Sequence, residues 1–343
     1  MEPSIWFWLG FLAFIAIILS IDLGLLHRKQ REIRVREALA LSLFYFLLAM
    51  IFCAGIFHFR GAQSGYEFLT GFLIEWSLSV DNIFVFVLVF GYFAVPAQYQ
   101  HRVLFWGIIG ALAMRGGMIF LGAQLIQSFH WVIFVFGAFL ILTAVKMLVM
   151  ADAKPDLQNN IVVRLMRNRM RITKDYHGQR FFVREKGLLY ATPLFMVLVL
   201  IEFSDLVFAV DSIPAIFAIT QDPFIVYTSN VFAILGLRSL YFALAGIVHR
   251  FHYLKYGLAL VLAVIGTKMI LNGVFGDKVI PTEVALAVTA LLIGGSIALS
   301  LLRKPKPGEE APALPGGWVP GSGSMRQRQE LVDTGRRPAT PEP

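Results

Sequence analysis

The sequence predicts an all-α polytopic membrane protein with about nine transmembrane helices. Three observations carry that class. Apolar residues make up 57% of the 343 and charged residues only 15%, where a soluble chain carries about 25% charged. The apolar residues fall in runs of helix length, and one bilayer crossing needs about 20 of them. The lysines and arginines between the runs are distributed with a strict alternation, which is how membrane proteins encode direction.

The runs lie at 5–26, 38–58, 67–94, 101–125, 130–150, 188–219, 224–248, 256–275 and 282–302. The first reads as a span rather than a signal peptide, because the basic cluster "HRKQREIRVRE" follows it instead of preceding it. Odd-numbered connections hold Arg28, Lys29, Arg31, Arg34 and Arg36, then Arg102, then nine bases between Lys154 and Lys186, then Arg250 and Lys255. Even-numbered connections hold only Arg60 and Lys278, and the C-terminal flank adds Arg303, Lys304 and Lys306. This predicts the N-terminus outside and the C-terminus in the cytoplasm. The net charge of +8 therefore belongs to cytoplasmic loops, and nucleic acid is not an expected partner. The single cysteine, Cys53, excludes an intramolecular disulfide and any Cys-rich metal or redox site. In its apolar run it reads as a small buried residue.

Residues 1–302 thus form a transmembrane domain, interrupted by a long cytoplasmic loop at 151–187. Within the loop, "RFFVREKGLLYA" has the pattern of a short β-hairpin. The loop reads as a solvated connection or, alternatively, as a docking segment. The tail 303–343, with eight prolines and six glycines, is expected to be disordered.

An internal repeat organises the middle of the chain. "EWSLSVDNI" at 75–83 aligns with "DLVFAVDSI" at 205–213, so Glu75 matches Asp205 and Asp81 matches Asp211. The following span of each half holds an arginine, Arg115 in "LAMRGG" and Arg238 in "LGLRSL". The third holds Lys146 in "TAVKM" and Lys268 in "IGTKM". Each half has three spans, an odd number, so 67–150 and 188–275 enter the membrane from opposite sides. That predicts a 3+3 inverted repeat, a plan common in secondary transporters, whose sites lie near the midplane between the halves.

Glu75, Asp81, Glu202, Asp205 and Asp211 all fall inside apolar spans. An unpaired carboxylate at the bilayer centre costs about 2.5–3.5 kcal/mol on insertion scales, so these five must face a wet or protein-lined interior. Pairing with Arg115, Arg238, Lys146 and Lys268 as a purely structural lock is the bland alternative, but it leaves an excess of acid. The two lysines lie nearer span ends, where they are expected to snorkel. Residues six apart on a straight helix lie about 120° apart in azimuth, so Glu75 and Asp81 share a cavity only if the helix breaks. Pro214 supplies a reason for a break in the second half, and Asn82 a weaker one in the first.

The candidate ligand set is Glu75, Asp81, Asn82, Glu202, Asp205, Asp211 and Ser212, with backbone carbonyls. All seven histidines lie at span ends or in loops. An all-oxygen set suits hard divalent ions such as Mn²⁺, Mg²⁺ or Ca²⁺. Clustered carboxylates raise one another's proton affinity, so protons are an expected counter-ion. Arg115, Arg238, Lys146 and Lys268 are expected counter-charges, and the arginines are placed to hold the site closed by pairing with vacated carboxylates. No nucleophile–base pair falls within the spans, so the chain is not expected to be an enzyme, and no organic cofactor is implied.

The stretches "DLGLLHRK", "EFLTGFLIEWSLSVDNIFVF", "FAVPAQYQHRVLFWGI", "DYHGQRFFVR", "YATPLFMVLVLIEFSDLVFAVDSIPAIFAIT" and "DPFIVYTSNVFAILGLRSLYFAL" resemble the TerC/Alx family of bacterial integral membrane proteins, over about residues 20–275. The resemblance is nearest to the Alx-type branch. It implies a metal-ion transporter of the LysE-like superfamily in the cytoplasmic membrane, with Mn²⁺ export as its activity. It also implies metal stress of the tellurium-resistance type, and exported-protein metalation partners or a homo-oligomer. The family's acidic motifs fall on Glu75, Asp81, Glu202, Asp205 and Asp211. Where relatives often carry "EKSLSVDN", this chain has Trp76 in place of lysine, which removes an internal counter-ion next to Glu75. The rival expectation is a membrane scaffold that docks partners through 151–187 and the tail. Export of amino acids or a tellurium species fits less well, because an anion would clash with an acid-rich site.

The predicted direction is open to test by cysteine labelling in a Cys53→Ser background. A cysteine placed at Asn160 is expected to react with a membrane-impermeant reagent only after the cells are opened, and labelling in intact cells contradicts the topology.

Overall fold

The computed structural model describes residues 5–26, 35–149, 161–185, 187–245, 251, 253–275 and 279–303, with the side chains of 21–26 and of Asp81 outside that description. The expectations for the tail beyond Arg303, for loop residues 150–160 and for the Asp81 carboxylate therefore lie outside the described residues. Among the described residues ten helices run in the order α1 (Ile5–Leu26), α2 (Val35–Arg60), α3 (Ala62–Tyr92), α4 (Ala97–Ser128), α5 (Val132–Val149), α6 (Ile161–Arg169), α7 (Pro193–Phe217), α8 (Pro223–Leu244), α9 (Leu254–Phe275) and α10 (Thr282–Leu302). Eight of them, all but α1 and α6, are long and apolar enough to cross a membrane, and α1 adds a shorter apolar stretch, Ile5–Ser20.

Local chemistry sets several boundaries. The apolar stretch 188–219 is too long for one span, and the structure divides it. Leu188–Ala191 is strand β2, paired antiparallel with β1 (Phe182–Glu185), and Gly187 takes φ +80° in the turn, a value that favours glycine. This is the hairpin expected from the sequence. Thr192 then caps α7: its hydroxyl accepts from Phe195 N at 3.4 Å and donates to Arg180 O at 2.7 Å, and Pro193 opens the helix. Asp222 caps α8 in the same way, accepting from Phe224 N at 2.9 Å. Its other oxygen takes Arg60 from the end of α2 at 2.6 Å, which ties two helix ends together. The helix α6 was not anticipated. It is short and polar, and only Val163 and Met166 are buried.

The expected helix breaks are absent. Both α3 and α7 run unbroken past their acidic motifs. Pro214 is inside α7 but in its last turn, so the bond it cannot donate is lost where the helix is ending anyway.

The interior is built around α3 and α8. Helix α3 packs on α2, α7, α8 and α10, while α4 packs on α7 and α8, and α5 packs on α9. Helix α8 is the most deeply buried of the candidate spans. At one end, Phe11, Phe52, Phe68 and Phe232 pack ring against ring between α1, α2, α3 and α8. The α5–α9 pair depends on small residues, as membrane helix contacts do in the absence of a hydrophobic driving force between helices. A Cβ on Gly266 would stand 2.8 Å from the Gly137 carbonyl oxygen, and a Cβ on Gly137 would stand 3.1 Å from that of Gly266.

Gly266→Ala is therefore expected to destabilise the solubilised protein by about 1–3 kcal/mol, the usual cost of overpacking. Gly294, whose added Cβ would meet nothing within 4 Å, is the control, and Gly294→Ala should unfold with the wild type. Thermal unfolding in detergent compares the two.

Candidate functional site

Near the middle of α4, the Arg115 side chain is 2% exposed and enclosed by three other helices. The neighbouring small residue Gly116 makes room for this. Gly116 lies against the ring of Tyr227 on α8, where a Cβ would stand 3.2 Å from the ring, so α4 and α8 approach closely at this level. The guanidinium then reaches acids from both halves of the chain. Its Nε donates to Asp205 Oδ2 at 3.0 Å and its Nη2 to Asp205 Oδ1 at 2.8 Å. This is the two-pronged fork that planar guanidinium makes with carboxylate. Its Nη1 forms an ion pair with Glu75 Oε1 and donates to Asn230 Oδ1 at 3.4 Å.

Two further side chains complete the network. Asn82 Nδ2 donates to Asp205 Oδ1 at 3.4 Å, and Ser212 Oγ donates to Glu75 Oε1 at 3.4 Å. Glu75 and Asp205, which the sequence comparison of the two stretches aligned, are each near the middle of their helices, and they meet on one arginine. Glu75, Asn82, Asp205, Ser212 and Asn230 are all at most 3% exposed. Two buried acceptor oxygens, Glu75 Oε2 and Asn82 Oδ1, have no hydrogen-bond partner among the described residues. A buried acceptor left without a donor costs about 1–3 kcal/mol.

The remaining candidates lie around this centre rather than in it. Asp211 is half-buried and accepts from Thr143 Oγ1 of α5 at 3.1 Å, with Lys146 close enough to act on its charge. The Glu202 carboxylate lies over Gly110 of α4, where any Cβ would collide with it. Arg238 is buried and shares with Asp205 the wall of a narrow, mostly apolar cavity whose lining includes Phe86, Leu104, Ile201 and Leu237. The expectation that both lysines snorkel is corrected. Lys146 is exposed, but Lys268 is 3% exposed, because it lies well inside α9 on a buried stretch that includes Ile265, Gly266 and Met269. Among the described residues, no three of His, Cys, Asp and Glu gather closely enough to hold a metal ion. The physical reason is plain at the centre: Arg115 stands between the two acids. Asn230 and Thr143 were not among the sequence candidates. Asn230, in the "TSN" run of an otherwise apolar helix, was the available signal.

Residues 60–307 match the family described as "Integral membrane protein TerC family". The chain belongs to this family. The TerC match covers every helix that contributes to the network. Among relatives of this TerC chain, the Myxococcus xanthus protein "Uncharacterized membrane protein STKORF319" is 50% identical over 296 residues, covering 86% of this chain and 92% of the relative. The Rickettsia felis "Uncharacterized membrane protein" is 46% identical over 297 residues, covering 87% and 98%. The Escherichia coli K12 protein named "Putative membrane-bound redox modulator Alx" is 47% identical over 290 residues, covering 82% and 89%. No solved structure matches the chain.

The network ranks the acids by what they hold. Removing one partner of a buried ion pair costs about 3–5 kcal/mol, whereas Asp211 gives up one hydrogen bond from Thr143, about 0.5–1.5 kcal/mol if neutral. Asp205→Ala is expected to lower the unfolding temperature in detergent more than Asp211→Ala does. Equal losses would mean that the fork does not hold the bundle together.

Proposed function

We propose that this TerC-family protein exports divalent metal ions, Mn²⁺ foremost, across the bacterial cytoplasmic membrane in exchange for protons, with its N-terminus outside. The observation that carries the reading is the meeting of Glu75 and Asp205 at mid-helix depth, with Glu75 Oε2 and Asn82 Oδ1 left as buried acceptors. Only a cation or a proton donor satisfies such oxygens, and an oxygen-only set prefers a hard divalent ion. Glu75, Asn82, Asp205 and Ser212 are the inner ligands in this reading. Asp81, Asp211 and Glu202 belong to the path by which the ion enters or leaves.

The pairing of helices supports an inverted repeat as the framework. Helix α3 packs on its mate α7, α4 on α8 and α5 on α9, and the α3–α8 contact has its counterpart in α4–α7. In transporters of this plan, the halves rock about a midplane site. The redox role in the relatives' name would need a different basis here, since Cys53 is the chain's one cysteine and is buried. The rival reading, a scaffold whose carboxylate–arginine pairs are structural, rests on the same fork between Arg115 and Asp205.

Uptake by inverted vesicles of a panel of divalent ions, with and without a pH gradient, separates the two. Mn²⁺ uptake that grows with the gradient is expected. Asp81→Asn and Asp211→Asn keep side-chain size and remove charge. Each is expected to slow uptake roughly 10- to 100-fold, the loss of one charge-assisted contact of about 1.5–3 kcal/mol. Normal uptake by both variants would make the acids structural.

A further inference from the structure

We infer that Arg115 is a tethered stand-in for the transported ion: it neutralises Glu75 and Asp205 whenever they hold no metal, and so sets the rate at which the unloaded carrier resets. The inference rests on the reading of these acids as the metal site. All three guanidinium nitrogens are engaged, two by Asp205 and the third by Glu75 and Asn230. The group therefore occupies the position between the carboxylates that a bound cation must take. Arginine does not lose its proton in a protein, so this counter-charge is permanent and differs from an exchangeable proton. A carrier whose acids face each other uncompensated cannot carry them through the low-dielectric middle of its cycle. A metal ion compensates them on the loaded step, and Arg115 compensates them on the return.

The same placement limits affinity. An incoming ion must displace a two-pronged, charge-assisted contact before it gains Asp205, which keeps binding weak enough for release. Asn230 is the positioning residue in this device. From α8 its Oδ1 accepts from Nη1, the nitrogen that Asp205 does not hold. Lysine cannot reproduce the fork, because its ammonium is a point charge without a planar pair of donors.

Three properties follow for the purified full chain in proteoliposomes with radiolabelled Mn²⁺. Arg115→Gln is expected to bind Mn²⁺ more tightly by calorimetry. It should keep Mn²⁺–Mn²⁺ exchange between the two sides and lose net transport by about tenfold or more, since only the unloaded return is blocked. Arg115→Lys is expected to recover part of the net transport while still binding Mn²⁺ more tightly than the wild type. Wild-type net transport in Arg115→Gln would overturn the inference. Loss of both binding and exchange in well-folded protein would do so as well, and would make Arg115 a structural residue. Where Arg115→Gln fails to fold, Arg115→Lys decides, and a wild-type ratio of net transport to exchange in that variant overturns the inference. A wild-type protein that neither binds nor moves Mn²⁺ would overturn the metal site itself, an outcome that is distinct from every Arg115 result.

Discussion

The fork between Arg115 and Asp205 is the contact on which the rest of the arrangement depends. It joins α4 to α7 near the middle of both helices, where both side chains are buried. A carboxylate or guanidinium alone at that depth would cost several kcal/mol. Together, at 2.8 and 3.0 Å, they satisfy each other's geometry. The guanidinium then has one nitrogen left, and it draws in Glu75 from α3 and Asn230 from α8. Four helices thus converge on one side chain, and the network leaves one more carboxylate than it has guanidinium.

Such convergence needs helices that approach closely, and small residues provide it. Gly116 admits the Tyr227 ring, Gly110 admits the Glu202 carboxylate, and Gly137 and Gly266 bring α5 and α9 nearly into backbone contact. Between lipid-facing helices there is little hydrophobic gain to hold a bundle together, so close packing and buried polar contacts carry more of the task. The α5–α9 pair and the polar network are therefore complementary: one fixes the frame, and the other specifies its centre. The close fit also explains why the acids do not form an open cage. With no room spare, the cation already present in the sequence takes the middle.

Much of this was legible in the sequence because membranes constrain it so strongly. The run 282–302 coincides with a candidate spanning helix end to end, since a span must be a continuous apolar helix, and the run 5–26 coincides with α1, whose apolar stretch is shorter. The hairpin at 182–191 was readable from its turn and its β-prone flanks. The break expected at Pro214 was not realised, because a proline's effect depends on how far it lies from the helix end, and that end is fixed by the packing of Phe217 and by the Thr220–Asp222 connection. Within the site, the sequence repeat aligned Glu75 with Asp205, and the structure brings these two acids together on Arg115. Which arginine would reach them, and that Lys268 would be buried rather than snorkelling, depended on tertiary contacts between helices far apart in sequence. Asn230 went unnoticed because an amide inside an apolar run carries no charge to mark it.

The central claim is that Glu75 and Asp205 form a cation site that Arg115 fills in the absence of the transported ion. Anomalous scattering from Mn²⁺ in crystals of the full chain tests it most directly. The account predicts an anomalous peak within coordination distance of the Glu75 and Asp205 carboxylates, with the Arg115 fork opened. A saturating concentration of Mn²⁺ that leaves the fork closed, with no peak between the two acids, would contradict it.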